Sequence, residues 1–324
     1  MSPEPAFRAA AERCPPRELR VGIGPLHVAI RVAGPALADR LFTPLRHIAV
    51  AADATPADIC IDAWSVGETG VDAPQEAGWT SGEPLEWLSA DTSHIISCLP
   101  NAAEIQRVSI ARPFQWALVP ALRERELPAA HGGLICAPGA AKGLMLVGPN
   151  GSGKSTTCLA AINAGFTLVG EDYFVLENVQ GRMVGHSLYC SCNLTRHTRE
   201  LFPGLKGTFH LPHGAPADSK TILHLPTAAP DSPMRRQLEV GALVFPVVTG
   251  ETGASRVVPV NRGEAYRRFV PALRQARKLP PAERAELHDA LLPLVIERPA
   301  YRLELGREIA RVPDSLLEIS EQVQ

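Results

Sequence analysis

The sequence lacks several things that would narrow its role at once. Among 324 residues no uninterrupted apolar run reaches the ~18 residues a membrane-spanning helix needs. The N-terminal stretch MSPEPAFRAAAERC has no apolar signal core. A soluble, cytoplasmic protein without a membrane partner is the expectation. There is no basic surplus either. Lys and Arg number 32 against 34 Asp and Glu, for a net charge of −2. Nucleic-acid binders carry a basic excess or a dense basic stripe, so a nucleic-acid partner is not expected.

A disulfide framework is also missing. The seven cysteines are scattered at 14, 60, 98, 136, 158, 190 and 192, an odd number spread along a long chain. Cys190 and Cys192 are too close for zinc-knuckle spacing, and their alternation in an apolar run fits one face of a strand. No internal repeat is visible. Aromatics are few, and Trp64, Trp79, Trp87 and Trp116 read as packing residues.

What is present is ample core material, with 45% hydrophobic residues. Thirty prolines outnumber 26 glycines, so loops are heavily punctuated and helices short. Residues 1–125 read as a smaller α/β domain with no catalytic constellation. Leu19–Ile23 and His27–Val32 alternate like paired strands around Gly24-Pro25. Pro35–Leu45 suits a short helix, Asp58–Ala63 a half-buried strand, and Gly67–Pro84 a loop. The charged run RERELP at Arg123–Pro128 suggests a boundary, which makes 126–324 the second domain.

In that second part, His131-Gly-Gly-Leu-Ile-Cys-Ala is strand-like, and Gly143–Val147 is a further strand. Thr156–Ala164 has helical spacing, with Gly165 placed to end it. Phe166–Val169 is the next buried strand. Tyr173–Glu177 and Arg182–Leu194 read as strands joined by a turn at Asn178–Gly181. Thr195–Leu225 reads as irregular, Val240–Val248 as a strand, and Gly263–Lys278 and Pro281–Ile296 as helices. The latter carries Leu287, Leu291 and Leu294 on one face. Pro299–Leu305 ends the fold as a strand.

One segment carries specific chemistry. Gly148-Pro149-Asn150-Gly151-Ser152-Gly153-Lys154-Ser155 matches G, four residues, then GK[ST], with Thr156 following. The glycines let backbone N–H groups converge on phosphate oxygens. The following helix points its positive end at the same anion. Lys154 reaches the β- and γ-phosphates of ATP, and Ser155 supplies an oxygen to Mg²⁺.

A P-loop site also needs carboxylates near the metal. Glu171-Asp172 ends an apolar strand one helix beyond the loop. One carboxylate can hold Mg²⁺, with Asp172 the candidate beside Ser155, while the other accepts the proton of an acceptor hydroxyl. Which of Glu171 and Asp172 is the base stays open. His131 starts the strand-like stretch before the P-loop strand, where an imidazole could hydrogen-bond phosphate or base.

This order of parts resembles the kinase domain of the bacterial HPr kinase/phosphorylase family: His131-Gly132, then Gly148–Ser155, then Leu168-Val-Gly-Glu-Asp172 after a G-F-T-L-V approach. The resemblance spans roughly residues 126–305, its motif-level part 131–177. It implies an α/β P-loop kinase domain of the HPr kinase/PEP carboxykinase-like type, preceded by the smaller α/β domain. It implies roles for Glu171 and Asp172 as general base and metal contact, a place for His131 beside the transferred phosphate, and a homo-oligomer. Two departures stand out. Glu171 replaces the family's Asp, and Val184-Gly-His-Ser-Leu-Tyr189 stands where a Glu-containing signature accompanies phosphorylase activity on HPr. Arg298–Leu305 and Asp218-Ser-Lys220-Thr221 are similar to kinases acting on the C-terminal serine of lasso-peptide precursors.

Other candidates are a mobile Lys220, and Arg196 or Arg199 as phosphate or acceptor contacts. His210 and His213 form an H-x-x-H without a third ligand. Arg267, Arg268, Arg274, Arg277 and Lys278 form a basic helix face. The expected activity is transfer of the γ-phosphoryl of ATP·Mg²⁺ to a serine of a peptide or small protein. A small-molecule kinase and a non-catalytic nucleotide-dependent regulator are the alternatives.

Overall fold

A computed structural model describes residues 3–51, 55–74, 85–99, 110–211, 220–227, 231–273 and 281–323. Trp79, His213, Asp218, Arg274, Arg277, Lys278 and the side chain of Leu287 lie outside the described residues. The chain forms two compact units, Met1–Leu127 with Thr208–His224, and Pro128–Gly207 with Leu225–Gln324. Among the described residues no helix is long and apolar enough to cross a membrane.

The first unit is built on five strands: β1 (Arg17–Ile23), β2 (Leu26–Ala33), β3 (Ile59–Ser65), β4 (Leu85–Leu88) and β5 (His94–Leu99). They run in the order β1-β2-β3-β5-β4. The β1–β2 hairpin turns at Gly24, whose φ is 57°. β2, β3 and β5 are parallel, and the two outer strands antiparallel. The helix Glu4–Arg13 lays Phe7 and Ala10 on Ala33, Trp64, Ile96 and Cys98. Later in the chain β13 (Thr208–His210) and β14 (Thr221–His224) pair antiparallel in the same unit.

Several local readings shift. The expected helix at 35–45 is α-helical only over Pro35–Phe42 and tightens to a 3₁₀ turn at Thr43–Ile48, where Pro44 removes a backbone donor. The stretch read as loop from Gly67 opens with the helical turn Val66–Thr69, and its residues 75–84 lie outside the described set. Trp64 is fully buried and stacks on Trp87, ring centroids 6.4 Å apart. Trp116 is 54% exposed and is not a packing residue, because it starts the helix Gln115–Arg123 on the face away from Ala117, Leu118, Ala121 and Leu122.

The second unit has one large sheet made of β6 (Ala129–His131), β7 (Gly133–Cys136), β8 (Lys142–Leu146), β9 (Thr167–Gly170), β10 (Tyr173–Val179), β11 (Arg182–Ser187), β15 (Gln237–Val248), β16 (Arg256–Pro259) and β17 (Ala300–Leu305). The order is β6-β10-β11-β15-β8-β7-β9, with β17 beside β15 and β16 beside β17. β8, β15 and β17 are parallel. Their central residues, Gly143–Leu146 and Val240–Pro246, are apolar and buried, as expected for strands covered on both faces, while β17 alternates with the half-buried Arg302 and Glu304. Carboxyl ends of parallel strands are where α/β sheets bind ligands.

The predicted single strand 182–194 is broken. β11 stops at Ser187, its last register partner being Phe174. Residues 188–190 leave the ladder, the Cys190 carbonyl accepts from the Leu225 N–H, and a separate strand β12 (Ser191–Leu194) follows. Cys190 and Cys192 are both buried, but they do not share one strand. The stretch 195–225 is also less irregular than expected, since Thr195 caps the helix Arg196–Leu201 through its hydroxyl. The helices Arg262–Leu273 and Pro281–Glu297 follow, the second burying Leu291 and Leu294.

Candidate functional site

β8 delivers the chain to the glycine-rich segment. Val147 stays in the sheet through its N–H to the Val244 carbonyl, and the backbone then leaves as a loop over 148–153. Gly151 and Gly153 have φ of 81° and 102°, the left-handed region. Gly153 is doubly required, because a Cβ there would strike the Cδ1 of Leu305. The helix Lys154–Asn163 starts directly at the loop, and Thr157 N–H bonds the Gly153 carbonyl to close its first turn. Gly165, φ 88°, ends it by donating to the Ile162 carbonyl.

Lys154 is 7% exposed, and its Nζ donates to the carbonyls of Gly148 at 2.8 Å and Pro149 at 3.1 Å. The ammonium is therefore held over the mouth of the loop. The Ser152 and Thr157 hydroxyls are buried and make no hydrogen bond among the described residues. Asn150 and Pro149 are exposed at the tip, and Ser155 and Thr156 are partly buried on the first turn.

The acidic pair follows β9. Glu171 is 4% exposed, whereas Asp172 is only partly buried. The two residues form the bend between β9 and β10, and their carboxylates meet different sets of partners, sharing only Asn193. Glu171 bonds the Ser155 hydroxyl and accepts from the Asn193 backbone N–H at 3.4 Å. Burial pushes its carboxyl up, and the neighbouring Asp172 charge adds to the shift; Ser155, the Asn193 N–H and Lys154 oppose it. Asp172 takes His131 Nε2 on Oδ1 at 3.0 Å and Asn193 Nδ2 on Oδ2 at 3.0 Å.

His131 arrives by strand pairing. β6 and β10 align His131 with Tyr173, and Gly132 N–H bonds the Asp172 carbonyl at 3.1 Å. The imidazole lies edge-on to the Tyr173 ring, centroids 5.3 Å apart. A carboxylate accepts, so Nε2 is the protonated nitrogen. Nδ1 is buried with no hydrogen-bond partner among the described residues.

The structure thus brings together His131, Lys154, Ser155, Glu171 and Asp172, on and beside loop residues 148–153. Ser155 meets Glu171, while Asp172 faces His131. Asn193 was missed by the sequence reading. It touches both carboxylates from β12, and its only signal is an amide inside a buried apolar run.

The remaining candidates make other contacts. Arg196 is exposed and paired with Glu200 at 2.8 Å. Arg199 and Lys220 are exposed. His210 packs against His224, ring centroids 5.0 Å apart. Arg268 is tied to Glu264. Among the described residues no group of three or more His, Cys, Asp or Glu side chains is placed to hold a metal ion. Burial first, then the Glu171 charge, keeps the Cys158 and Cys192 thiols well above their ordinary value.

No family model matches this sequence, and no curated protein matches it. Among solved structures, it is similar to the Hpr(Ser) kinase/phosphatase from Coxiella burnetii at 13% identity, covering 60% of this chain and 90% of that chain with a TM-score of 0.30.

Proposed function

We propose that this chain is an ATP- and Mg²⁺-dependent kinase that transfers the γ-phosphoryl group to a hydroxyl, most plausibly a serine of a peptide or small protein. The observation that carries the reading is the split of the acidic pair. Ser155 of the glycine loop bonds the buried Glu171, and the adjacent Asp172 is gripped by His131 and Asn193. The order of His131-Gly132, the 148–155 segment and Glu171-Asp172 also supports an HPr kinase/PEP carboxykinase-like kinase domain in the second unit.

The donor set fits a hard cation. Ser155 and Glu171 offer oxygen ligands, and the buried, unpartnered Ser152 and Thr157 hydroxyls lie on the loop and first turn that would face phosphate. Bound Mg²⁺ would neutralise charge on the β- and γ-phosphate oxygens. Lys154 exchanges its two carbonyl contacts for phosphate oxygens. The loop N–H groups and the helix N-terminus hold the triphosphate in place. Asp172 accepts the proton of the acceptor hydroxyl as its oxygen attacks the γ-phosphorus. The bond from that phosphorus to the bridging oxygen breaks, and ADP leaves. His131 keeps the Asp172 carboxylate oriented.

The test is incubation of the protein with γ-labelled ATP, Mg²⁺ and a panel of serine peptides and hydroxylated metabolites, read by mass spectrometry. One phosphate on a peptide supports the reading. Label only on a metabolite makes it a small-molecule kinase. ATP binding with no transfer to any acceptor leaves a regulator and overturns the kinase assignment.

A further inference from the structure

The second unit contains an apolar shelf beside the glycine loop, on the flank away from the acidic pair. Three parallel strands lie side by side here as β8, β15 and β17, with Val244 opposite Leu146 and Val248 opposite Leu305. The acidic pair follows β9, on the other side of β8. With a terminal phosphate toward Ser155 and Glu171, the flank of the loop left for the other end of a triphosphate is the one bordered by β15 and β17.

β15 is buried along most of its length, yet its last residue, Val248, is 59% exposed. Val248 and Leu305 are the side chains that a Cβ on Gly153 would meet, so they border the loop directly. The segments after the two strands are stitched into a firm ledge. The Thr249 hydroxyl donates to the Leu305 carbonyl at 3.1 Å, and Arg307 N–H donates to the Glu251 carbonyl at 3.1 Å. Arg307 Nε bonds the Gly250 carbonyl at 3.2 Å, and its exposed guanidinium has no ion pair among the described residues.

We propose that this ledge is the nucleobase subsite: a purine lies on the exposed Val248, beside the buried Leu305, and stacks against the Arg307 guanidinium. The proposal rests on the nucleotide-binding reading given above. The chemistry suits it. A purine ring offers a flat π surface that needs an apolar floor, and a planar guanidinium with no carboxylate partner stacks well on such a ring. The purine bicycle covers more of the ledge than a pyrimidine does, so ATP and GTP are favoured over CTP and UTP.

The experiment is calorimetric titration of the whole protein with ATP, GTP, CTP and inorganic tripolyphosphate, each with Mg²⁺. The readout is the ratio of nucleotide to tripolyphosphate affinity; losing the Arg307 charge weakens the more highly charged tripolyphosphate at least as much as ATP, so a fall in the ratio reports the lost base contact. Wild type should favour ATP over tripolyphosphate by roughly tenfold or more, the scale of one good stacking contact, with CTP between them. The doubly substituted Val248→Asn, Arg307→Gln protein should bring the ratio close to one while still binding tripolyphosphate. Both positions are exposed, and an unchanged melting temperature checks the fold. An undiminished ratio in that variant overturns the subsite. A wild-type ratio near one also overturns it while leaving triphosphate binding intact. Failure of wild type to bind either compound sinks the nucleotide reading itself, and the subsite with it.

Discussion

His131 Nε2 and Asp172 Oδ1 are 3.0 Å apart; His131 ends β6 and Asp172 immediately precedes β10, and the pairing of those two strands brings them together. Asn193 closes the other oxygen of the same carboxylate. With His131 beside one oxygen and the Asn193 amide on the other, Asp172 is held in a fixed orientation, which suits a group that must take a proton at a fixed point.

The first prediction concerns that base. Asp172→Asn should lower the turnover of labelled phosphate by about 10²–10⁴-fold, the usual worth of a positioned general base. ATP affinity should change little. Near-normal turnover in this variant would remove Asp172 from the base role.

Glu171→Gln separates metal binding from proton transfer. The Mg²⁺ concentration for half-maximal rate should rise by roughly 10–100-fold, the range known even for residues that only orient a metal ligand. The metal-free variant should also melt higher than wild type, since a buried carboxylate carries a desolvation cost that the amide does not. Magnesium titrations and thermal melts check the two effects, and an unchanged magnesium requirement would move the metal contact to Asp172.

Gly153→Ala tests the loop geometry. A side chain there must adopt φ 102° and collide with Leu305 Cδ1. The strain should cost about 1–3 kcal/mol in denaturant unfolding. Nucleotide binding should fall with it, and wild-type affinity in a stably folded variant would argue against the loop as phosphate cradle.

An acid-sensitivity prediction follows from His224 in the first unit. It is 3% exposed, and its pKa is pushed down to about 4, chiefly by burial and then by the His210 charge. The folded form binds fewer protons than the unfolded form, so stability present above the unfolded pKa near 6.5 is lost as pH falls toward 4. Urea unfolding of wild type should show a loss on the order of 2 kcal/mol across that window. His224→Leu should flatten it, and an identical pH slope in the variant would assign the effect elsewhere.

Much of the candidate site was legible locally. The phosphate-loop pattern, the helix after it and the acidic pair after an apolar strand are all short-range features. In the structure they appear as the 148–153 loop, the helix Lys154–Asn163 and the bend after β9. Asn193 was not legible, because no spacing rule links it to residues more than twenty positions earlier in the chain. The break at 188–190 was hidden for a similar reason. Its apolar residues alternate as a strand would, and the carbonyl bond of Cys190 to Leu225 that diverts them is a long-range contact. Trp116 misled through composition, since tryptophan usually packs and this one stands at the outer face of its helix.

By itself the sequence determined which chemistry was on offer: a glycine loop with Lys154 and Ser155, two adjacent carboxylates and a histidine upstream. Only the tertiary structure decided how they divide. Strand pairing put His131 and Asn193 on Asp172, and the turn after β9 drove Glu171 into the interior against Ser155. The bend between β9 and β10 carries both carboxylates, so their environments are set by what packs around it, and that is written in the register of distant strands rather than in the pair itself.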